Sequence, residues 1–242
     1  MGRGWAGRLR ALEPAARSVA AATWAGAVLG ALVGGVGGRL AMRLLMVTSS
    51  DAVRGVETDD GFPIGRFTLS GTLTLLALST LVGVVGGLAY LVIRRWLIGG
   101  TALRVATCAL GAGLVVGSML VHSDGIDFTL LSPTWLAVAL FVAIPALFGA
   151  LVVPFVERFD REGGWFRTRP LKVAAAPLVV WAFPLLFVFV GLPVLVIAAL
   201  VRWTPARRAL GSTAVTTAGR VALAGAGAAG AVTLVSDIAA IV

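Results

Sequence analysis

The sequence has few charged residues and only one copy each of cysteine, histidine and lysine. Charged residues make up 13% of the 242 residues, whereas a soluble domain carries roughly a quarter. The single cysteine, Cys108, excludes an intramolecular disulfide. The single histidine, His122, argues against a histidine-rich zinc site or a bis-histidine haem within one chain. Lys172 lies at a helix start, which is unsuited to a Schiff base in mid-membrane. No cofactor is predicted.

Catalytic and nucleotide-binding patterns are also missing. The glycine pairs that begin at Gly34 and Gly37 lack the preceding strand of a phosphate-binding loop and stand among apolar residues. Ser118 and His122 share a helix face, but no carboxylate is placed to orient the histidine as a base. We therefore assign no catalytic residue from the sequence.

Long apolar runs dominate what is present. Hydrophobic residues make up 59% of the chain, its mean hydropathy is +0.99, and the runs reach the roughly 20 residues that a membrane-spanning helix needs. These features predict an all-α, polytopic transmembrane helical bundle of about six helices, forming a single integral membrane domain over residues 1–242. The predicted helices are about 19–45, 70–95, 103–121, 132–157, 173–201 and 218–242.

Small residues repeat at four-residue spacing in two of these helices. Gly26, Gly30 and Gly34 lie along one side of the first helix, and Gly113 and Gly117 along one side of the third. Such stripes let helix backbones approach closely in lipid. Capping patterns place the start of the second helix at Ser70 and that of the fourth at Ser132-Pro133.

A short polar sequence motif occurs twice, each time before a long apolar run. Asp-Gly leads through Phe-Thr-Leu to Ser-x-Thr, first at residues 60–72 and again at residues 124–134. We interpret the pattern as a duplicated helical hairpin, with repeat 1 at residues 18–95 and repeat 2 at 101–157. Because both copies have the same orientation, the implied pseudo-two-fold axis runs along the membrane normal.

The distribution of positive charge predicts the orientation in a cell membrane. The net charge of +9 comes from arginines at the ends of apolar runs, which indicates topology rather than nucleic-acid binding. The basic segment 1–17 and the loop 158–172 are then cytoplasmic, and residues 173–242 form a C-terminal helix pair. The arginines at 202–208 do not fit this scheme. If the proline-rich run 173–201 instead dips in and returns, these arginines are cytoplasmic and the C-terminus faces out.

One polar site is predicted on the outer face. Arg39 and Arg43 lie four apart in the first helix, where a charge is costly unless it is paired or hydrated. Facing acidic loops would supply the partners, and convergent carboxylates would also suit a hard cation such as calcium. Solvated loops and arginines that extend to the interface are the alternatives. The binding residues proposed are Arg39, Arg43, Asp51, Asp59, Asp60, His122, Asp124 and Asp127.

Two classes of function remain open on the sequence. The first is a non-enzymatic multi-pass membrane protein, either a small-solute or ion transporter or an accessory or sensor subunit. The second is a membrane enzyme that acts on a lipid-linked or phosphate-bearing substrate, with outer carboxylates and His122 as acid and base. The expected partners are the lipid bilayer and a second copy or another membrane subunit, and no nucleic acid is expected.

Overall fold

A computed structural model describes residues 3–50, 68–123, 125, 128, 130–182 and 212–241. Within these ranges the chain is helical and contains no strand, so the all-α prediction is confirmed. The helices are α1 (Arg3–Leu29), a π-helix (Gly30–Val36), α2 (Gly37–Thr48), α3 (Leu69–Ile93), α4 (Thr101–Leu120), α5 (Thr134–Asp160), α6 (Trp165–Thr168), α7 (Leu171–Ala174), a 3₁₀-helix (Ala176–Ala182) and α8 (Thr213–Ile241).

Five helical segments of the described residues are long and apolar enough to cross a membrane. Their exposed leucines and valines are spread along the helices, as expected for surfaces that face lipid. The five segments are Glu13–Thr48, Leu69–Ile93, Thr101–Leu120, Thr134–Thr168 and Thr213–Ile241.

The first predicted hairpin packs through its glycines. A Cβ on Gly26 would lie 2.9 Å from the carbonyl carbon of Gly83, and one on Gly30 would lie 2.9 Å from the Gly83 Cα. Gly34 lies opposite Ser79, so the predicted stripe of the first segment faces α3 along its length. Only glycine permits these backbone approaches.

The second predicted hairpin packs in the same manner. Gly113 and Gly117 of α4 lie against Val142 of α5, and Gly149 of α5 lies against the backbone of Cys108. A Cβ on Gly149 would approach the Cys108 carbonyl carbon to 2.9 Å. The small-residue spacing therefore identified the contact faces of both hairpins correctly.

The bundle has two ends. At the first, which we call the arginine end, α3 ends, α4 begins and α5 ends. At the second, the serine end, α2 ends at Thr48 and α5 begins at Thr134. Ser49 and Ser132 exchange hydrogen bonds there, at 2.9 Å to the Ser132 N–H and 3.2 Å to its carbonyl. The first four membrane-length helices thus alternate in direction, as the orientation argument requires.

The final helix α8 begins at the arginine end and finishes at the serine end. Near its start, Arg220 Nε donates to the Trp96 carbonyl at 3.2 Å, and Gly219 lies against the Trp96 ring. Near its finish, Leu234 packs in the apolar cluster of Leu45 and Val121. The end of α5 and the start of α8 therefore lie at the same end of the bundle.

The prediction of about six spanning helices is confirmed for five of them, and the sixth, predicted at residues 173–201, lies mostly outside the described residues. Its described beginning is a four-residue helix, Leu171–Ala174, followed by the 3₁₀-helix Ala176–Ala182, and residues 183–211 lie outside the described residues.

The predicted serine caps were misplaced by two residues in α3 and by one residue in α5. The cap of α3 is Thr68, whose side-chain oxygen accepts from the Gly71 N–H at 3.3 Å, and Ser70 lies within the helix. Pro133 occupies the N-cap position of α5 without a side-chain hydrogen bond. The Ser132 backbone is instead bonded to Ser49. Thr68 takes the capping position that the sequence assigned to Ser70, and Ser49 binds the Ser132 backbone. Local sequence predicts neither contact.

Candidate functional site

The predicted outer site falls only partly within the described residues. Arg39 is partly buried and Arg43 is exposed, both on α2, and His122 is exposed just after α4. The other proposed binding residues lie outside the described residues, namely Asp51, Asp59, Asp60, Asp124 and Asp127. The convergence of these carboxylates on the arginines therefore stays a prediction.

The described flanks of the two acidic connectors do meet at the serine end. Ser49 precedes the first connector, Ser132 follows the second, and the two residues are hydrogen-bonded. Beneath them, Leu45, Val121 and Leu131 form one buried apolar cluster. Both connectors accordingly emerge at one end of the bundle and close together.

A different polar site, which sequence reasoning did not assign, is formed at the arginine end. Its centre is Asp160 in the last turn of α5, whose side chain is only 8% exposed. The Asp160 Oδ1 accepts from Ser18 Oγ at 2.7 Å and from Arg167 Nη2 at 2.6 Å, and its Oδ2 accepts from Arg94 Nη1 at 2.8 Å. Helices α1, α3, α5 and α6 are thereby joined through one carboxylate.

Glu157, one turn before Asp160, forms a second cluster. Its Oε1 accepts from the hydroxyl of Tyr90 at 2.8 Å and from Arg104 Nη1 at 3.1 Å. Among the described residues, Tyr90 is the largest fully buried side chain and lies on α3, and Arg104 lies in the first turn of α4. Two carboxylates on one face of α5 thus hold α3 and α4 together where the charged groups cluster.

The N-terminal part of the first segment holds the loop after α5 in place. Arg17 donates to the carbonyls of Phe166 and Arg169 and pairs with Glu13 at 2.7 Å. The Phe166 ring is buried against Ala20 and Ala21. These contacts fix the position of Arg167, and hence one of the three partners of Asp160.

A pocket of about 410 Å³ opens between the ends of α3, α4 and α5 at the arginine end. It is lined by four arginines and two carboxylates, which leaves a formal excess of two positive charges. The lining residues are Arg94, Arg95, Arg104, Glu157, Asp160 and Arg161. Its size lies within the range of small-ligand sites, about 300–1,000 Å³.

The sequence contained a weak signal for this pocket. Glu157 and Asp160 are acidic residues at the end of an apolar helix, in the basic connection where positive charge is expected. That contrast indicates that the two carboxylates have arginine partners. Choosing Arg94 and Arg104 as those partners needs the packing of α3, α4 and α5, which a single sequence does not show.

The donor types at the arginine end suit an anion. Guanidinium groups bind carboxylate and phosphate oxygens through paired N–H donors. Within the described ranges, no group of three histidine, cysteine, aspartate or glutamate side chains is placed to hold a metal ion. Comparison with protein-family models, with curated proteins and with solved structures gives no match to this chain.

Proposed function

We propose that this chain is a non-enzymatic multi-pass membrane protein of the accessory or sensor class rather than a transporter. Five apolar helices of membrane length support the multi-pass character. The choice between the two classes depends on the interior of the bundle, because a transported solute needs convergent polar groups near the bilayer midplane.

The scarcity of buried polar side chains favours the accessory or sensor class over a transporter. Among the described residues, the buried polar or charged residues are Ser18 and Thr23. Ser18 belongs to the Asp160 cluster at the arginine end, so Thr23 alone remains further along the bundle. The helices around it meet through glycine and alanine backbone contacts, which favour a closely packed core over a solute pathway.

Water accessibility of single cysteines tests this proposal. In a Cys108→Ala background, Thr23→Cys and Ser79→Cys introduce thiols into the first hairpin, and Ser49→Cys introduces one at the serine end as a labelling control. We expect a water-soluble methanethiosulfonate reagent to label Ser49→Cys and to leave Thr23→Cys and Ser79→Cys unmodified. Modification of both interior positions at the control rate would reject the accessory class in favour of a transporter.

We further propose that the two hairpins arose by duplication. The supporting observation is that two glycines aligned by the repeated motif make matching contacts with the preceding helix. Gly87 of α3 lies against Ala22 and Gly26, and its counterpart Gly149 of α5 lies against Cys108 and Ala112. In both hairpins the glycine therefore faces two residues four positions apart on the preceding helix.

The arginine end is proposed to face the cytoplasm of a cell membrane. The support is the positive-inside tendency, because basic residues cluster at this end on the short connections between helices. The described basic residues here include Arg94, Arg95, Arg104, Arg158, Arg161, Arg167, Arg169 and Lys172. Impermeant labelling of intact cells tests the orientation: Ser49→Cys should react from outside, whereas Thr168→Cys should react only after the membrane is permeabilised.

A further inference from the structure

We propose that the pocket at the arginine end binds a phosphate group, supplied either by free phosphate or by the headgroup of an anionic lipid. The proposal concerns a site at one end of the bundle, and it does not depend on whether the protein is an accessory subunit or a transporter. Three features of the pocket support it: its charge balance, its unused hydrogen-bond donors and its place at the ends of membrane-length helices.

The charge balance leaves two arginines for a ligand. Asp160 pairs with Arg94 and Glu157 pairs with Arg104. Arg95 and Arg161 also line the pocket and are exposed, and within the described part of the chain neither forms a salt bridge. Arg95 lies over the ring of Trp96, 5.0 Å from its centroid, so its guanidinium is held beside the pocket.

The paired arginines also keep free donors. A guanidinium has five N–H groups, but Arg94 and Arg104 each use only Nη1 in hydrogen bonds within the described residues. Each carboxylate therefore orients a guanidinium through one nitrogen and leaves other N–H donors unused, and a tetrahedral oxyanion can accept from several donors at once.

The pocket lies where helices of membrane length end, the position at which a spanning helix meets lipid headgroups. Its residues come from the end of α3, the first turn of α4 and the end of α5, where apolar helices of membrane length finish. Trp96 and Trp165 stand at the same end, and Trp165 is 44% exposed. Tryptophan is enriched at membrane interfaces, the layer that also holds lipid phosphates. The phosphate of a lipid headgroup is therefore an anion that this position would meet.

Binding by charge-matched variants of the full chain tests the proposal. The variant Arg95→Gln/Arg161→Gln removes two pocket charges and leaves both ion pairs intact. Arg158→Gln/Arg169→Gln removes two exposed charges at the same end, outside the pocket. Each purified protein in non-ionic detergent would be titrated with phosphatidic acid or phosphatidylcholine by native mass spectrometry, and with inorganic phosphate by calorimetry. Thermal unfolding of each variant would confirm that it is folded.

We expect saturable binding of phosphatidic acid, inorganic phosphate or both to the wild-type protein. The pocket variant should weaken that binding at least about tenfold, because hydrogen bonds to charged groups are lost, and the control variant should not. Binding of the lipid alone identifies a headgroup site, and binding of both or of phosphate alone identifies a site for the free anion. Equal weakening by the two variants, or no phosphate binding by the wild-type protein, would overturn the proposal.

Discussion

Ser18 donates a hydrogen bond of 2.7 Å to Asp160, a residue 142 positions further along the chain. This contact joins the first and fourth membrane-length helices at the arginine end. Because Arg94 and Arg167 bind the same carboxylate, Asp160 connects more elements than any other charged residue of that cluster. The stability of this end of the bundle should therefore depend on its charge.

Neutralising Asp160 should destabilise the protein. Asp160→Asn removes the negative charge between two arginines and leaves both of them without a salt bridge in the described structure. Breaking a fully buried ion pair costs about 3–5 kcal/mol. Since Arg94 and Arg167 are 34% and 28% exposed, solvent screening should reduce the loss to about 2 kcal/mol. Reversible unfolding in mixed detergent micelles measures this value.

Glu162→Gln is the matched control for Asp160→Asn. Glu162 is exposed in the loop that follows α5, and within the described ranges it forms no salt bridge. Its neutralisation should change the free energy of unfolding by less than about 0.5 kcal/mol. If the two variants were equally stable, the Asp160 cluster would make no special contribution.

Replacement by alanine should affect the stability of the protein differently at two glycines in its membrane-length helices. A Cβ in Gly83→Ala would lie 2.5 Å from the Gly30 Cα, so the helices of the first hairpin would have to separate, at a cost of about 1–3 kcal/mol. Gly111 on α4 has no atom within 4 Å of an added Cβ. Gly111→Ala should therefore leave stability unchanged or raise it by up to about 1 kcal/mol, through helix propensity.

The same unfolding assay compares the two glycine variants. Equal effects on the free energy of unfolding would mean that helix propensity, rather than the close contact of α3 with the first segment, decides the outcome at Gly83. Cross-linking between α3 and the first segment provides a second readout, since separation of the helices should lower its yield only in Gly83→Ala.

Helix positions and packing faces could be predicted from the sequence because both depend on short-range patterns. The apolar runs located all five described membrane-length helices, and glycine spacing identified the sides that meet, as at Gly26 and Gly113. The pocket could not be predicted, because its ion pairs join residues more than 50 positions apart, such as Arg104 and Glu157. Which arginine meets which carboxylate depends on how three helices pack, and that arrangement has no local sequence pattern.

The hydroxyl of Tyr90 should be coupled energetically to Glu157. Tyr90 is 1% exposed and donates to Glu157 at 2.8 Å. Tyr90→Phe keeps the ring in the core and removes only this hydrogen bond to a charged acceptor, which should cost about 1.5–3 kcal/mol. In a double-mutant cycle with Glu157→Gln, the combined loss should be smaller than the total of the two single losses. Additive losses would show that the hydroxyl contributes independently of the carboxylate.

The two ends of the chain should lie on opposite sides of the membrane. The first segment begins at the arginine end, where Arg17 binds the Phe166 carbonyl, and α8 finishes at the serine end with Leu234 in the cluster of Leu45. Arg220 and Trp96 hold the start of α8 at the arginine end, so α8 runs from that end to the serine end. In sealed membrane vesicles carrying a protein with different epitope tags at its two ends, added protease should remove one tag and spare the other. Loss or protection of both tags together would place the two ends on one side of the membrane and contradict this arrangement of the first segment and α8.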